Sequence, residues 1–136
     1  MRDMPAGKFQ RLQGTLYLAK GAPVRLNLNL CPVSGLVNGS RGVVEDIFYD
    51  DGAVPGVDGV MPCYVTVRFA GLSLELGTFA GFKHGVVPIP VVSKRHDSLW
   101  DLTRSQIPLD LSWAMTIHKS QGLTLPMIIA YIGDSD

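Results

Sequence analysis

The residues best suited to chemistry lie close together near the end of the chain, in Trp113-Ala114-Met115-Thr116-Ile117-His118-Lys119-Ser120-Gln121-Gly122-Leu123-Thr124. From Thr116 to Thr124 the run carries two threonine hydroxyls, a serine hydroxyl, an imidazole, an ammonium, a carboxamide and a glycine. Donors of this kind suit phosphate oxygens: each offers a directional hydrogen bond, and Lys119 adds charge assistance. Gly122 lets backbone approach a ligand where a side chain would block it. The same residues also have a plain structural use, because His and Lys in a last helical turn meet the helix dipole favourably and Gly is the usual stop.

The elements that must position this run follow from periodicity. Leu111, Ala114, Met115 and His118 fall at i, i+3, i+4 and i+7, which predicts a helix from Asp110 to about Ser120, with Asp110 as N-cap and Gly122 as stop. Met127 to Ile132 is a continuous apolar run, the pattern of a strand buried on both faces of a parallel sheet. One helix and one strand do not complete such a sheet, which points to a fragment of something larger. Upstream, Leu16 and Leu18, then Val24, Leu26 and Leu28, read as two short strands split by Gly21-Ala22-Pro23. Asn38-Gly39 between apolar pairs is a hairpin turn signal in which both residues accept positive φ. A strand is expected from Arg41 to about Tyr49, a Gly- and Pro-rich surface loop from Asp50 to Pro62, and a strand from Tyr64 to Phe69 with Val65, Val67 and Phe69 on one face. Leu72, Leu74 and Leu76 repeat that alternation. Val86 to Val92 carries Pro88 and Pro90, which confines it to an edge or a barrel corner. A short run around Gln106 to Leu109 closes the set. Short strands separated by Gly/Pro turns predict a small, strongly bent β-barrel in the middle of the chain.

Bulk properties narrow the function classes. The 136 residues are 46% hydrophobic and 18% charged, a globular composition, and the twelve basic residues are balanced by twelve acidic ones. A compact basic nucleic-acid module would show a positive excess, so phosphate contacts here must come from a few placed groups or from a larger parent. Cys31 and Cys63 form neither a CxxC nor a Cys/His metal spacing. No apolar run approaches the roughly 18 residues of a membrane span. Residues 1–13 are polar, lack the apolar stretch of a signal peptide, and are expected to be a poorly ordered lead-in. An intracellular protein without membrane association is the expectation.

The string Thr116-Ile117-His118-Lys119-Ser120-Gln121-Gly122-Leu123-Thr124-Leu125 resembles the fifth conserved motif of superfamily-one helicases, in the form used by the petite-integration-frequency (PIF) type and its transposon and viral relatives. The resemblance continues upstream through Gln106-Ile107-Pro108-Leu109-Asp110-Leu111-Ser112-Trp113-Ala114. It includes Gly21-Ala22-Pro23-Val24-Arg25-Leu26 with Asn29-Leu30, and Gly35-Leu36-Val37-Asn38-Gly39-Ser40-Arg41-Gly42. In order and spacing these cover residues 14–132. Pro126 departs from the acidic or polar residue that relatives place there.

The resemblance implies an α/β fold: a partial second RecA-like motor domain, residues 14–37 and 107–136, interrupted by a small Src-homology-three-like β-barrel over 38–106. It implies an ATP-dependent 5′-to-3′ DNA helicase that works with ATP and Mg²⁺ on single-stranded or forked DNA, and serves repair, recombination or telomere maintenance in a nucleus or mitochondrion. Thr116, His118 and Lys119 would contact the DNA backbone, while Ser120, Gln121 and Gly122 would lie nearer the nucleotide and relay its state. The grip on nucleotide must come from an ATP-binding half of the same parent. No G-x-x-x-x-G-K-[ST] occurs, since Gly7-Lys8 lacks the leading glycine and runs into Phe9. Glu45-Asp46 sits inside a strand pattern and Asp50-Asp51 opens a loop, so neither ends an apolar strand as a Mg²⁺-holding pair does. The arginine-bearing sixth motif is expected beyond residue 136. Alone, the chain is expected not to hydrolyse ATP.

Other residues are weighed beside this set. His84 and His96 read as solvated turn residues. Lys83, Lys94, Arg95 and Arg104 form either a DNA-facing edge of the barrel or ordinary solvated surface. Trp113 reads as core, Trp100 as either core or a base-stacking group, and Arg41 as structural. Two further readings of the whole chain stay open: a non-catalytic DNA- or protein-binding module, and a degenerate transposon-derived remnant.

Overall fold

The computed structural model describes residues 4–56, 60–69, 72, 81–99, 101–114, 127 and 129. Seven strands are present among them: β1 (Pro23–Leu26), β2 (Arg41–Phe48), β3 (Tyr64–Phe69), β4 (Val86–Pro90), β5 (Val92–Arg95), β6 (Thr103–Gln106) and β7 (Leu109–Leu111). Five of them form one antiparallel sheet in the order β4-β3-β2-β1-β7, and β5 and β6 form a separate antiparallel ribbon. Along Tyr64–Phe69, Val65, Val67 and Phe69 are buried as expected, but Thr66, expected on the opposite face, is buried too. Val65, Val67 and Phe69 meet Val24, Leu26, Val44, Ile89, Ile107 and Leu109 in a single core. The proline-bearing strand β4 is an edge strand, as its missing N–H groups require.

The closed barrel is not seen. Among the described residues the five-stranded sheet keeps two open edges, β4 and β7, and the ribbon pairs only with itself. Pro88 and Pro90 offer no N–H to continue a ladder beyond β4, and the chain leaves the sheet directly after them, through Val91 into the ribbon. It returns from β6 through Ile107 and Pro108 to β7 at the opposite edge. The sheet therefore takes strands from both sides of residue 38 and of residue 107. Most of the Leu72 to Leu76 alternation lies outside the described residues.

Several local expectations also change. The helix predicted from Asp110 is not observed at its start: Leu109–Leu111 is a strand, with Leu109 facing Leu26 and Asp110 facing Arg25. Period two wins over period 3.6 there because β1 presents an open edge whose hydrogen bonds β7 satisfies. Trp113, expected in the core, is 74% exposed. Met127 and Ile129, expected in a strand buried on both faces, are 83% and 95% exposed, and no parallel neighbour exists for them among the described residues. Leu16 and Leu18 pack half-buried against the core without forming a strand. In the Val37–Ser40 turn, closed by the Ser40 N–H on the Val37 carbonyl at 2.9 Å, only Gly39 has positive φ (+99°). That is the pattern of a type II turn rather than the hairpin type.

Part of the lead-in packs against the rest of the chain. A 3₁₀ turn, Ala6–Phe9, places Phe9 in the interior, and Leu12 is equally buried. Arg104, from β6, holds both: its guanidinium lies 4.1 Å from the Phe9 ring centre and donates to the carbonyls of Leu12 (2.9 Å) and Met4 (3.0 Å). Among the described residues no helix is long and apolar enough to cross a membrane.

Arg104→Met keeps the stem but strands two carbonyls and removes the cation over Phe9. A loss of about 2–3 kcal/mol is expected in denaturant unfolding of the chain. Gly42→Ala should cost about the same, because a Cβ there would stand 2.5 Å from Val67 Cγ1 and 2.6 Å from the Arg68 carbonyl oxygen, and backbone cannot yield cheaply. A Gly42→Ala midpoint equal to that of the wild type would contradict this packing.

Candidate nucleic-acid interface

Thr116, His118, Lys119, Ser120, Gln121 and Gly122 all lie outside the described residues. What the structure does show is the root from which they extend. β7 pairs with β1, and the Ser112 N–H donates to the Pro23 carbonyl at 2.9 Å, which carries the chain along the sheet edge to within four residues of Thr116. Asp110 is the centre of this root. Its Oδ2 accepts from Arg25 Nη2 at 3.0 Å, and its Oδ1 accepts from Gln13 Nε2 at 3.1 Å and, at 3.4 Å, from Asn27 Nδ2. The Arg25 and Asp110 side chains are only 17% and 15% exposed, so solvent screens this pair weakly. Sequence reasoning gave Asp110 a cap's role and passed over Arg25, Gln13 and Asn27. The available signal was opposite charge at the middle of two short apolar strands, Val24-Arg25-Leu26 and Leu109-Asp110-Leu111.

Beside the root lies a cleft of about 260 Å³, lined by Gln13, Thr15, Leu16, Tyr17, Leu111 and Ala114 together with the Arg25–Asp110 pair. Tyr17, Leu111 and Trp113 all reach solvent nearby in sequence or space. Asn27 is buried, and its Oδ1 has no partner among the described residues.

The remaining charged candidates separate clearly. Arg104 belongs to the core as described above and is withdrawn from any DNA-facing edge. Lys94 and Arg95 stay on the ribbon, and Lys83 and His84 are exposed in the turn before β4. His96 is not simply solvated. Its ring meets Phe9 edge-on at 5.0 Å, and its Nδ1 accepts from the N–H groups of Ser98 (3.0 Å) and Leu99 (3.1 Å), which makes it a turn cap. Trp100 lies outside the described residues. Glu45 and Asp46 sit at a bulge in β2 and face Arg68 and Lys20 respectively, on the surface. The Lys20 hydrogen bond, aided by the Ile47 N–H, holds the Asp46 carboxyl below its ordinary range. Hydrogen bonding to Asp50 raises the Cys63 thiol above its ordinary range.

No family model matches the chain. It is 38% identical over 113 residues to the ATP-dependent DNA helicase PIF1 of Xenopus laevis, an alignment covering 83% of this chain and 15% of that protein. The crystal structure of a Pif1 helicase from Candida albicans superposes with a TM-score of 0.54 at 29% identity, covering 81% of this chain and 25% of the other. The chain is a PIF1-type helicase segment. A second structure, of two coordinating Pif1 helicases in DNA unwinding at forked double-stranded DNA, gives a TM-score of 0.54 at 27% identity over 80% of this chain and 20% of that one. The segment thus spans well under a third of the length of the relatives it matches.

In this PIF1-type segment the Asp110 cluster ties β7 to β1 and to the lead-in. Asp110→Ala leaves the Arg25 guanidinium half-sealed without its counter-ion. A loss of about 2 kcal/mol in unfolding free energy is expected, less than for a fully buried pair. A double-mutant cycle with Arg25→Met and Asp110→Asn should return a coupling of about 1–2 kcal/mol. Additive effects in that cycle would show that the pair holds nothing.

Proposed function

We propose that this segment is part of the C-terminal motor of an ATP-dependent 5′-to-3′ DNA helicase, where it couples grip on single-stranded DNA to nucleotide state. The observation that carries this reading is the match over 83% of the chain to a protein named for ATP-dependent DNA helicase activity, joined to the His118-Lys119-Ser120-Gln121-Gly122 string. Thr116, His118 and Lys119 take the DNA backbone, and Ser120, Gln121 and Gly122 face the nucleotide. One short segment touching both ligands makes the affinity for each depend on the other, which stepping requires. The rooted exit of the chain after β7 supports this, because a relay needs a fixed end.

The architecture proposed with it is a RecA-like motor sheet interrupted by a Src-homology-three-like barrel. The path of the chain is compatible with that barrel: β4 passes into β5 after a single residue, β6 passes into β7 after two, and the ribbon between them links both open edges of the sheet. ATP and Mg²⁺ do not fit the described part of the chain. Glu45 and Asp46 are committed to Arg68 and Lys20, and no cluster of three metal-ligating side chains occurs among the described residues. On this reading the nucleotide and its metal are held by the ATP-binding half of the same parent, and these 136 residues alone do not hydrolyse ATP.

The test is made in an intact parent helicase. Replacing His118 and Lys119 together by alanine should abolish most DNA stimulation of ATP hydrolysis while leaving the basal rate within a few-fold of the wild type. Full stimulation in the double variant would defeat the assignment. Salt-sensitive strand binding that no nucleotide alters would favour a plain binding module instead.

A further inference from the structure

A second cleft, of about 270 Å³, opens beside the lead-in and is lined by Gln10, Arg11, Asn27, Leu28, Asn29 and Asn38. Its lining is unlike the rest of this neutral chain: one cation, four carboxamides, one aliphatic side chain and no carboxylate. Arg11 is presented deliberately by the backbone. Gln10 and Arg11 are consecutive left-handed residues, at φ 50° and 72°, and they are the two non-glycine residues with positive φ among those described. The turn is fixed from both sides: the Arg11 N–H donates to the Ala6 carbonyl at 2.8 Å, and the Arg11 carbonyl accepts from Asn27 Nδ2 at 3.2 Å. Arg11 makes no ion pair among the described residues, and its side chain is exposed. Opposite it, Asn29 Oδ1 accepts the Asn38 N–H at 2.8 Å, which fixes the Asn29 amide with its NH₂ group unengaged among the described residues.

We propose that this cleft binds one nucleotide of a DNA single strand, with the phosphate on Arg11 and the base edge on the carboxamides of Gln10, Asn29 and Asn38. A guanidinium suits a phosphate, and carboxamides carry a donor and an acceptor side by side, as base edges do. Leu28 gives the base an apolar neighbour. The absence of any carboxylate fits a polyanion, and the size, just under the ~300 Å³ at which small-molecule sites begin, admits one unpaired nucleotide and not a duplex. Asn27 makes the connection to the motor: the same Nδ2 that holds the Arg11 carbonyl reaches Asp110 Oδ1, so the cleft and the root of Thr116–Lys119 share a brace. The proposal rests on the single-strand reading given above and adds a contact remote in sequence from the Thr116–Gly122 string.

The experiment uses the 136-residue chain and a fluorescein-labelled oligothymidylate of about 12 nucleotides, followed by anisotropy across a salt series. The decisive variant is Arg11→Gly, because glycine adopts φ 72° freely and the fold is retained without the guanidinium. Weakening of several-fold, with the slope of log K against log salt reduced by about 0.7, is expected. Arg11→Lys should keep the slope. An Arg11→Gly chain with wild-type affinity and slope overturns the proposal, as does a wild-type chain that fails to bind the oligonucleotide. Free thymidine monophosphate competing as well as the oligomer, nucleotide for nucleotide, would make the ligand a free nucleotide and overturn the strand assignment. Lys119→Ala, measured alongside, separates the two readings. Loss there with no effect at Arg11 leaves the motor assignment standing and removes the cleft, whereas the reverse keeps the cleft and removes Lys119 from the DNA track.

Discussion

The pairing of β1 with β7 is the constraint on which the rest of this chain depends. Arg25 and Asp110 are 85 positions apart, and closing a loop of that length costs about 4 kcal/mol in chain entropy before any contact forms. Val24, Leu26 and Leu109 become fully buried when the strands meet, and at about 2 kcal/mol each they outweigh that cost. The ion pair adds direction rather than bulk stability. It lies in register across the two strands, so a slip by one residue would place Arg25 against an apolar neighbour and turn Asp110 away from Gln13 and Asn27. The consequence for function is geometric. Whatever Thr116 to Gly122 touch, they start from a strand whose register is fixed.

The lead-in is part of the same construction. Phe9 and Leu12 fill space under Arg104, and Gln13 reaches Asp110. A segment without periodicity thereby joins the ribbon, the sheet edge and the motif root. Its backbone accepts two left-handed residues to do so, which costs conformational energy that only the surrounding bonds can sustain.

This explains which parts were legible in the sequence. β2, β3 and β4 were readable because their signals are local: alternation, a Gly-rich loop between them, and prolines that forbid an inner strand. The family was readable because the His118-Lys119-Ser120-Gln121-Gly122 string is specific, and so is Gly35 to Gly42. The fate of Leu109–Leu111 was not readable, since a three-residue strand has too few positions to beat a helical spacing, and its partner is 85 residues away. Phe9, Leu12 and Arg104 were missed for a related reason. Their value comes entirely from long-range contact, and a lone buried Arg looks like surface charge until the carbonyls it serves are seen. Trp113 failed in the opposite sense: taken for core on the strength of a helix that does not begin where it was placed, it stands in solvent.

The zero net charge bears on how such a segment could act in a motor. A strongly basic surface would hold a DNA strand through many screened contacts, and no single rearrangement would change that grip much. With charges balanced overall, attachment must depend on a few placed groups. Allosteric coupling of about 1–3 kcal/mol, the usual range, is comparable to the worth of one or two charge-assisted hydrogen bonds. On the proposed reading, a small nucleotide-driven shift at Ser120 to Gly122 is then large enough to switch the contacts of Thr116 to Lys119. It is large enough only if the segment is anchored, because a relay that floats at its root spends the shift on its own slack. The Arg25–Asp110 pair, shielded from solvent and braced by two carboxamides, supplies that anchor.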